Sequence, residues 1–195
     1  MVVELLVESD HGGDRRLLGT NTDVEGVAEA IRGIDLRGSD ICVIGAGGAA
    51  RAAFTQLAPM QWAALLVMAR DPEKAVRVAA MCGANGTGVP FKPSSTALCE
   101  ASLLINATQL GMTGQEPMPM FVIDELHELA AGALVFDMVY APVDTELLTA
   151  ARRLGLRTAD GLTMLIGQAA VAFERFFGQP APREHDVELR ALLTG

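Results

Sequence analysis

Lysine is scarce in this sequence: Lys74 and Lys92 are the only two, against thirteen arginines. Chemistry that needs an amine to carry a proton therefore has two candidates within the chain. Basic residues as a whole are outnumbered, 15 Lys and Arg to 24 Asp and Glu, for a net charge of -9. So acidic a chain has no broad basic face for nucleic acid or an anionic membrane, and any anion it binds must be held locally. Cysteine is limited to Cys42, Cys82 and Cys99, an odd number with no CxxC pair. That argues against a disulfide framework or a zinc site and fits reduced thiols. His11, His127 and His185 have no ligand-spaced partners, so no metal is expected. No apolar stretch reaches the roughly 18 residues of a membrane span. The opening MVVELLVESD carries acid where a signal peptide carries base, and the expected location is the cytoplasm. Repeats and low-complexity linkers are absent.

What is present is a chain of 195 residues, half of them apolar, enough for one sizeable core. VVELLV, the turn DHGGD and RRLLG predict a hairpin. From Thr22 the period becomes helical, with Asn21 or Thr22 as cap and Gly33 near the stop. Strands and helices then alternate: DICVIG, GAARAAFTQLA, WAALLVMA, PEKAVRVAAMCG, a short helix SSTALCEA, SLLINAT, IDELHELAAG, ALVFDMVY, VDTELLTAARRLG, LRTAD and TMLIGQAAVAFERFFG. Alternation of this kind predicts an α/β class, with a doubly wound parallel sheet covered by helices on both faces. After QPAPRE a last amphipathic helix, EHDVELRALL, closes the sequence.

In VIGAGGAARAA, Gly45, Gly47 and Ala50 fill the pattern GxGxxA between a strand and a helix, as a dinucleotide-binding (Rossmann) turn requires. Gly45 allows the tight turn, Gly47 lets backbone approach a pyrophosphate, and Ala50 lets helix and strand pack closely, while the helix N-terminus offers amides to the anion. The second strand ends VMARDPEK. Where NAD-binding folds place an acid for the ribose 2′-hydroxyl, this chain has Arg70, which suits a 2′-phosphate and favours NADP over NAD. Asp71 would repel that phosphate unless it turns away to cap the helix opening at Pro72.

LGTNTDVEG, VIGAGGAARAA, INATQLGM, FDMVYAPVDTELLTAARRLG and DGLTMLIGQAAVAFERFFG, in this order, resemble shikimate dehydrogenase and its quinate/shikimate relatives, from about Leu17 to Gly178. The resemblance implies reversible NADPH-dependent reduction of 3-dehydroshikimate to shikimate, in aromatic amino-acid biosynthesis. It implies that Asp23 hydrogen-bonds the substrate and pairs with a proton-transferring lysine, and that Tyr140 and Gln168 contact the substrate. Gly45, Ala46, Gly47, Gly48 and Ala49 would line the pyrophosphate, and Ala69, Arg70, Asp71 and Lys74 the adenosine phosphate. Asn106, Ala107, Thr108, Met138 and Gly161 would border the cofactor's ribose and nicotinamide.

The sequence departs from the family pattern in its first part. Relatives carry a substrate domain of roughly a hundred residues before NTD, in line with ordinary domain sizes. Here residues 1–20 read as a remnant of it, 21–178 as the NAD(P)-binding domain and 179–195 as a tail helix. The serine pair and the NVTxPxK lysine motif have no counterpart before Asp23, and Glu4 stands where the asparagine of GAVNT would be. GTGVPFK imitates the lysine motif, but Lys92 falls on the wrong side of the glycine turn to serve. Thr163 replaces a glycine common in the family. An alternative reading is therefore a non-catalytic NADP-binding module, or a subunit whose partner supplies the lysine; a third is another Rossmann reductase acting on a different small carbonyl compound. A face left without its substrate domain would also favour self-association, as a homo-oligomer.

Overall fold

Apolar runs that feed turns become the strands of a parallel sheet, and the structure, a computed structural model, describes this over residues 3–9, 15–93, 98 and 100–194. β1 (Val3–Ser9) and β2 (Arg15–Asn21) pair antiparallel, from Val3 opposite Asn21 to Ser9 opposite Arg15, and the turn expected at DHGGD lies outside the described residues. Helix α1 (Asp23–Ala30) follows at once. The Asn21 side chain accepts the Asp23 amide at 3.1 Å, closing the turn from strand into helix.

The rest alternates: β3 (Asp40–Ile44), α2 (Gly48–Leu57), β4 (Ala64–Ala69), α3 (Pro72–Met81), β5 (Gly86–Pro90) and β6 (Ala101–Asn106). Then come α4 (Met120–Asp124), β7 (Leu134–Asp137), α5 (Glu146–Arg153), β8 (Arg157–Ala159), α6 (Gly161–Phe177) and α7 (Asp186–Thr194). Six strands pair in the order β5-β4-β3-β6-β7-β8, all parallel. This is the doubly wound order, with its reversal between β3 and β6.

Both faces of the sheet are buried, so its strands read as unbroken apolar runs. Ile41 and Val43 point with Leu103, Ile105, Leu134 and Phe136 into a core shared with α1, α2 and α3. Cys42 and Ile44 point the other way, with Leu104 and Val135, toward Val122 of α4 and Leu147, Leu148 and Ala151 of α5.

Three details differ from the sequence reading. GTGVP forms an edge strand, β5, that its glycines conceal; a Cβ on Gly88 would lie 2.2 Å from the Val76 nitrogen, so this strand can pack against α3 only without a side chain there. The helix expected over IDELHELAAG begins earlier and is shorter: α4 follows Pro119 and ends at Asp124, and Glu125–Glu128 form a 3-10 turn. ALVFDMVY stops being strand at Asp137, whose carboxylate takes the Val139 amide at 3.1 Å and turns the chain. Of SSTALCEA, residues 94–97 and 99 lie outside the described residues.

Candidate functional site

Short hydrogen bonds align the carboxyl ends of the central strands. The Gly45 amide donates to the Met68 carbonyl at 2.8 Å, Ala107 to Ile44 at 2.8 Å, Met138 to Asn106 at 3.0 Å and Gly161 to Val139 at 3.1 Å. The segments after β3, β6 and β7 and the start of α6 thus form one continuous rim, the edge where open α/β sheets bind ligands.

The glycine turn stands at the centre of this rim. Gly45 has φ +114°, and a Cβ on it would lie 3.0 Å from the Ala107 carbonyl oxygen, so neither its conformation nor its surroundings admit a side chain. Gly47 caps α2 from an extended conformation, and no side chain caps that helix. A Cβ on Gly47 would meet nothing within 4 Å. The first-turn amides of α2 therefore face open space, as an anion cradle requires. Gly48 and Ala49 form that first turn and are exposed, whereas Ala50 is wholly buried between helix and sheet.

A cleft of about 830 Å³ opens beside the turn. Gly45, Ala46 and Gly47 form one wall, Ala69, Arg70, Asp71 and Lys74 an end, and Ala107, Thr108 and Leu110 the side toward β6. Phe91 and Phe121 meet at the cleft with ring centroids 5.2 Å apart. Asp71 does turn to α3: it is the N-cap, and its Oδ1 accepts the Lys74 amide at 3.0 Å. Arg70 and Lys74 are exposed, and neither is held in an ion pair among the described residues.

Asn106 lies beneath this lining and is fully buried. Its Nδ2 donates to the Leu110 carbonyl at 3.1 Å and to Asp137 Oδ1 at 2.9 Å. Its Oδ1 accepts from the Thr108 amide at 3.1 Å and the Thr108 hydroxyl at 2.6 Å. Asp137 also accepts the Thr145 hydroxyl at 2.7 Å. Burial pushes the Asp137 carboxyl up to about 6, against the downward pull of the bonds from Thr145, the Val139 amide and Asn106. Sequence reasoning missed Asp137 and Thr145. The available signal was a carboxylate and an asparagine ending two apolar runs, since polar groups so placed need partners.

The residues expected on the substrate side lie elsewhere along the rim. Asp23 opens α1 and is buried, and Gln168 is half-buried on α6. The two helices cross at glycines: a Cβ on Gly26 would lie 2.6 Å from the Met164 carbonyl oxygen and 3.3 Å from Gln168 Cβ. Tyr140 follows β7 and is half exposed, at 51%. Met138 and Gly161 pack backbone to backbone. None of Asp23, Asn106, Met138, Tyr140, Gly161 or Gln168 lines the 830 Å³ cleft. Lys92 is exposed just past β5, four strand spacings from β7, or roughly 19 Å.

A second cavity of about 390 Å³ lies between α6 and the segment from Ala181 to Leu192, and no expected site residue lines it.

Residues 26–128 match the family model described as shikimate / quinate 5-dehydrogenase, and residues 161–187 the shikimate 5′-dehydrogenase C-terminal domain. The shikimate dehydrogenase (NADP(+)) of Sphingopyxis alaskensis is 47% identical over 181 residues, covering 93% of this chain and 64% of that protein. That of Rhodospirillum rubrum is 44% identical over 191 residues, covering 93% of this chain and 65% of that protein. Among solved structures, quinate dehydrogenase from Corynebacterium glutamicum in complex with NAD matches with a TM-score of 0.77 and 31% identity, covering 95% of this chain and 66% of that one. Shikimate 5-dehydrogenase from Thermus thermophilus, in complex with NADP(H) and shikimate, matches with a TM-score of 0.73 and 32% identity, covering 91% and 64%. The chain therefore spans just under two thirds of the length of these relatives.

Proposed function

We propose, for a chain that belongs to the shikimate/quinate 5-dehydrogenase family, that it provides the cofactor-binding side of an NADP-dependent oxidoreductase interconverting 3-dehydroshikimate and shikimate in the cytoplasm. The observation that carries the cofactor choice is the end of the cleft, where Arg70 and Lys74 stand outside any ion pair among the described residues while Asp71 is engaged on the α3 amide. A 2′-phosphate there would meet a guanidinium able to hold it in bidentate fashion. The α2 N-terminus and the bare Gly47 fit a pyrophosphate, and Thr108 lies on the nicotinamide side.

The bound nicotinamide would supply the hydride. This chain's own residues would hold the substrate: Asp23 and Gln168 at the α1–α6 crossing and Tyr140 past β7. As hydride arrives, negative charge builds on the carbonyl oxygen and a proton donor is needed within hydrogen-bond reach. A carboxyl with an ordinary pKa of about 3.9 is a poor donor near neutrality. Asp23 would instead orient an amine. Both lysines of this chain lie at the β4–β5 edge, away from Asp23, which favours a second reading: a cofactor-binding unit to which a partner or another segment brings the lysine. In either case the exposed apolar residues Val187, Leu192 and Leu193 of α7 favour self-association.

Fluorescence titration of the purified chain tests this. NADPH should bind at least about tenfold tighter than NADH, a difference of one charge-assisted contact. Shikimate should change the NADP affinity, since two ligands sharing a site are reciprocally coupled. Equal affinity for the two dinucleotides would overturn the cofactor assignment. Coupling without turnover would select the second reading.

A further inference from the structure

We infer that Asp137 is a positioning residue, one whose buried carboxylate fixes, through Asn106, the turn from Thr108 to Leu110 that the nicotinamide half of the cofactor rests on. The inference rests on the proposed assignment of the cleft to NADP(H).

Hydrogen-bond direction carries the argument. The Leu110 carbonyl can only accept and the Thr108 amide can only donate, so Asn106 must present Nδ2 to the first and Oδ1 to the second. The amide orientation is thereby forced. The second hydrogen of Nδ2 then points at Asp137 Oδ1, which satisfies it at 2.9 Å. Without that acceptor a buried N–H would be orphaned, and the Asn106 side chain would swing to find another.

The consequence passes to the cleft. The Thr108 hydroxyl spends its proton on Asn106 Oδ1 and accepts the Leu110 amide at 3.1 Å. One lone pair remains, so toward a ligand Thr108 can accept a hydrogen bond, as from a ribose hydroxyl, but not donate one. Asp137 also receives the Val139 amide, between Met138 and Tyr140, and the Thr145 hydroxyl that caps α5. One carboxylate therefore sets the cofactor turn and the start of the segment carrying Tyr140.

The test compares NADPH with 2′,5′-ADP, which lacks the nicotinamide half. Asp137→Ala should weaken NADPH binding about tenfold, the size of one lost buried hydrogen bond, and leave 2′,5′-ADP unchanged. Asp137→Asn keeps an acceptor oxygen toward Asn106 and Val139 and should restore NADPH binding. Asp137→Ser, whose hydroxyl is too short to reach Asn106 but leaves a polar group beside the Val139 amide, should show the same selective loss and decides the matter if Asp137→Ala does not fold. Equal weakening of both ligands, or no weakening of either in folded variants, would overturn the inference while the cofactor assignment stands. A parent chain that binds neither ligand would overturn both.

Discussion

Gly161 stands so close to Met138 that a Cβ built on it would lie 2.3 Å from the Met138 carbonyl oxygen. The obstructing atoms are backbone, and the Gly161 amide is already bonded to Val139. The first turn of α6 and the segment past β7 are therefore in direct main-chain contact. Gly161→Ala must push them apart and should lower unfolding free energy by about 1–3 kcal/mol, the range for overpacking. Gly47→Ala is the contrasting case: no protein atom opposes its methyl group and the backbone is extended. It should change stability by less than about 1 kcal/mol, the scale of a cap exchange, yet weaken NADPH binding. Urea titrations of both variants, read beside NADPH titrations, check the pair; equal stability losses would show that the Gly47 side is not open.

Asp71 offers a way to tune cofactor choice without disturbing the fold. Asn caps a helix about as well as Asp, so Asp71→Asn should keep the bond to the Lys74 amide and the stability of α3. It removes a negative charge from the end of the cleft that holds Arg70 and Lys74. NADPH should bind about twofold to tenfold tighter, a surface-scale electrostatic gain that fades with added salt, while NADH changes less. Arg70→Gln should act in the opposite direction. Equal tightening of both dinucleotides by Asp71→Asn would place the 2′-phosphate elsewhere.

The sheet was legible wherever a strand is buried on both faces, because ICVI, ALLVMA and SLLIN can be neither surface strands nor amphipathic helices. Local punctuation placed α6: Asp160 caps its start and Gly178, at φ +64°, ends it. Less visible were features decided by contacts distant in sequence. Gly86 and Gly88 give no strand pattern, and the close approach of α3 to their backbone is visible only in the fold. ALVFDMVY reads as one strand, and Asp137 shortens it by accepting the Val139 amide.

The site divides in the same way. The glycine turn and Arg70 announce their chemistry locally, since a strand, a turn and a helix suffice to build a phosphate cradle. Asp137 and Asn106 do not, for each looks like a polar end to an apolar run. Their meeting 31 residues apart depends on β6 and β7 being neighbours in the sheet. The position of Gln168 near α1 likewise depends on the crossing of two helices at Gly26 and Gly167.

The Asp137 carboxyl gives the fold a measurable pH signature. Its value is raised from 3.8 to about 6 by burial, against the bonds from Thr145, Val139 and Asn106. A folded state that holds its proton more tightly than the unfolded chain gains stability at low pH and loses it as pH rises through the window between the two values. Ionisation of this group should therefore remove on the order of 3 kcal/mol between about pH 4 and pH 6, and nothing more above that. Asp137→Asn cannot titrate. Its stability relative to the parent should rise across that window and stay level on either side, beyond any constant offset from altered hydrogen bonding. A difference that is level throughout would mean that the carboxyl titrates normally.

Arg190 holds the last helix to the rim. One of its guanidinium nitrogens donates to Asp160 Oδ1 at 3.1 Å and the other pairs with Oδ2. Asp160 also accepts the Thr163 amide at 2.9 Å as the α6 N-cap. Burial alone would raise the Asp160 carboxyl, but the bonds from Arg190 and Thr163 outweigh it and hold it below its usual range. Among the described residues α7 is otherwise tied at its start, where Arg183 pairs with Asp186 at 2.6 Å and with Glu29 of α1 at 3.1 Å, while Val187 and Leu192 are largely exposed and Leu189 is only partly covered. Arg190→Met should cost about 1 kcal/mol at neutral pH, between the values for exposed and buried pairs. A carboxylate with a depressed value contributes stability above its unfolded pKa and loses it as pH falls through the folded one. The difference between variant and parent should accordingly hold steady from pH 5 to pH 8 and shrink below about pH 4. Hydrogen exchange over Asp186–Thr194 should speed up in the variant while α6 beyond its first turn stays protected; unchanged exchange would assign the holding of α7 to the Arg183 pairs at its start and to Leu189 instead.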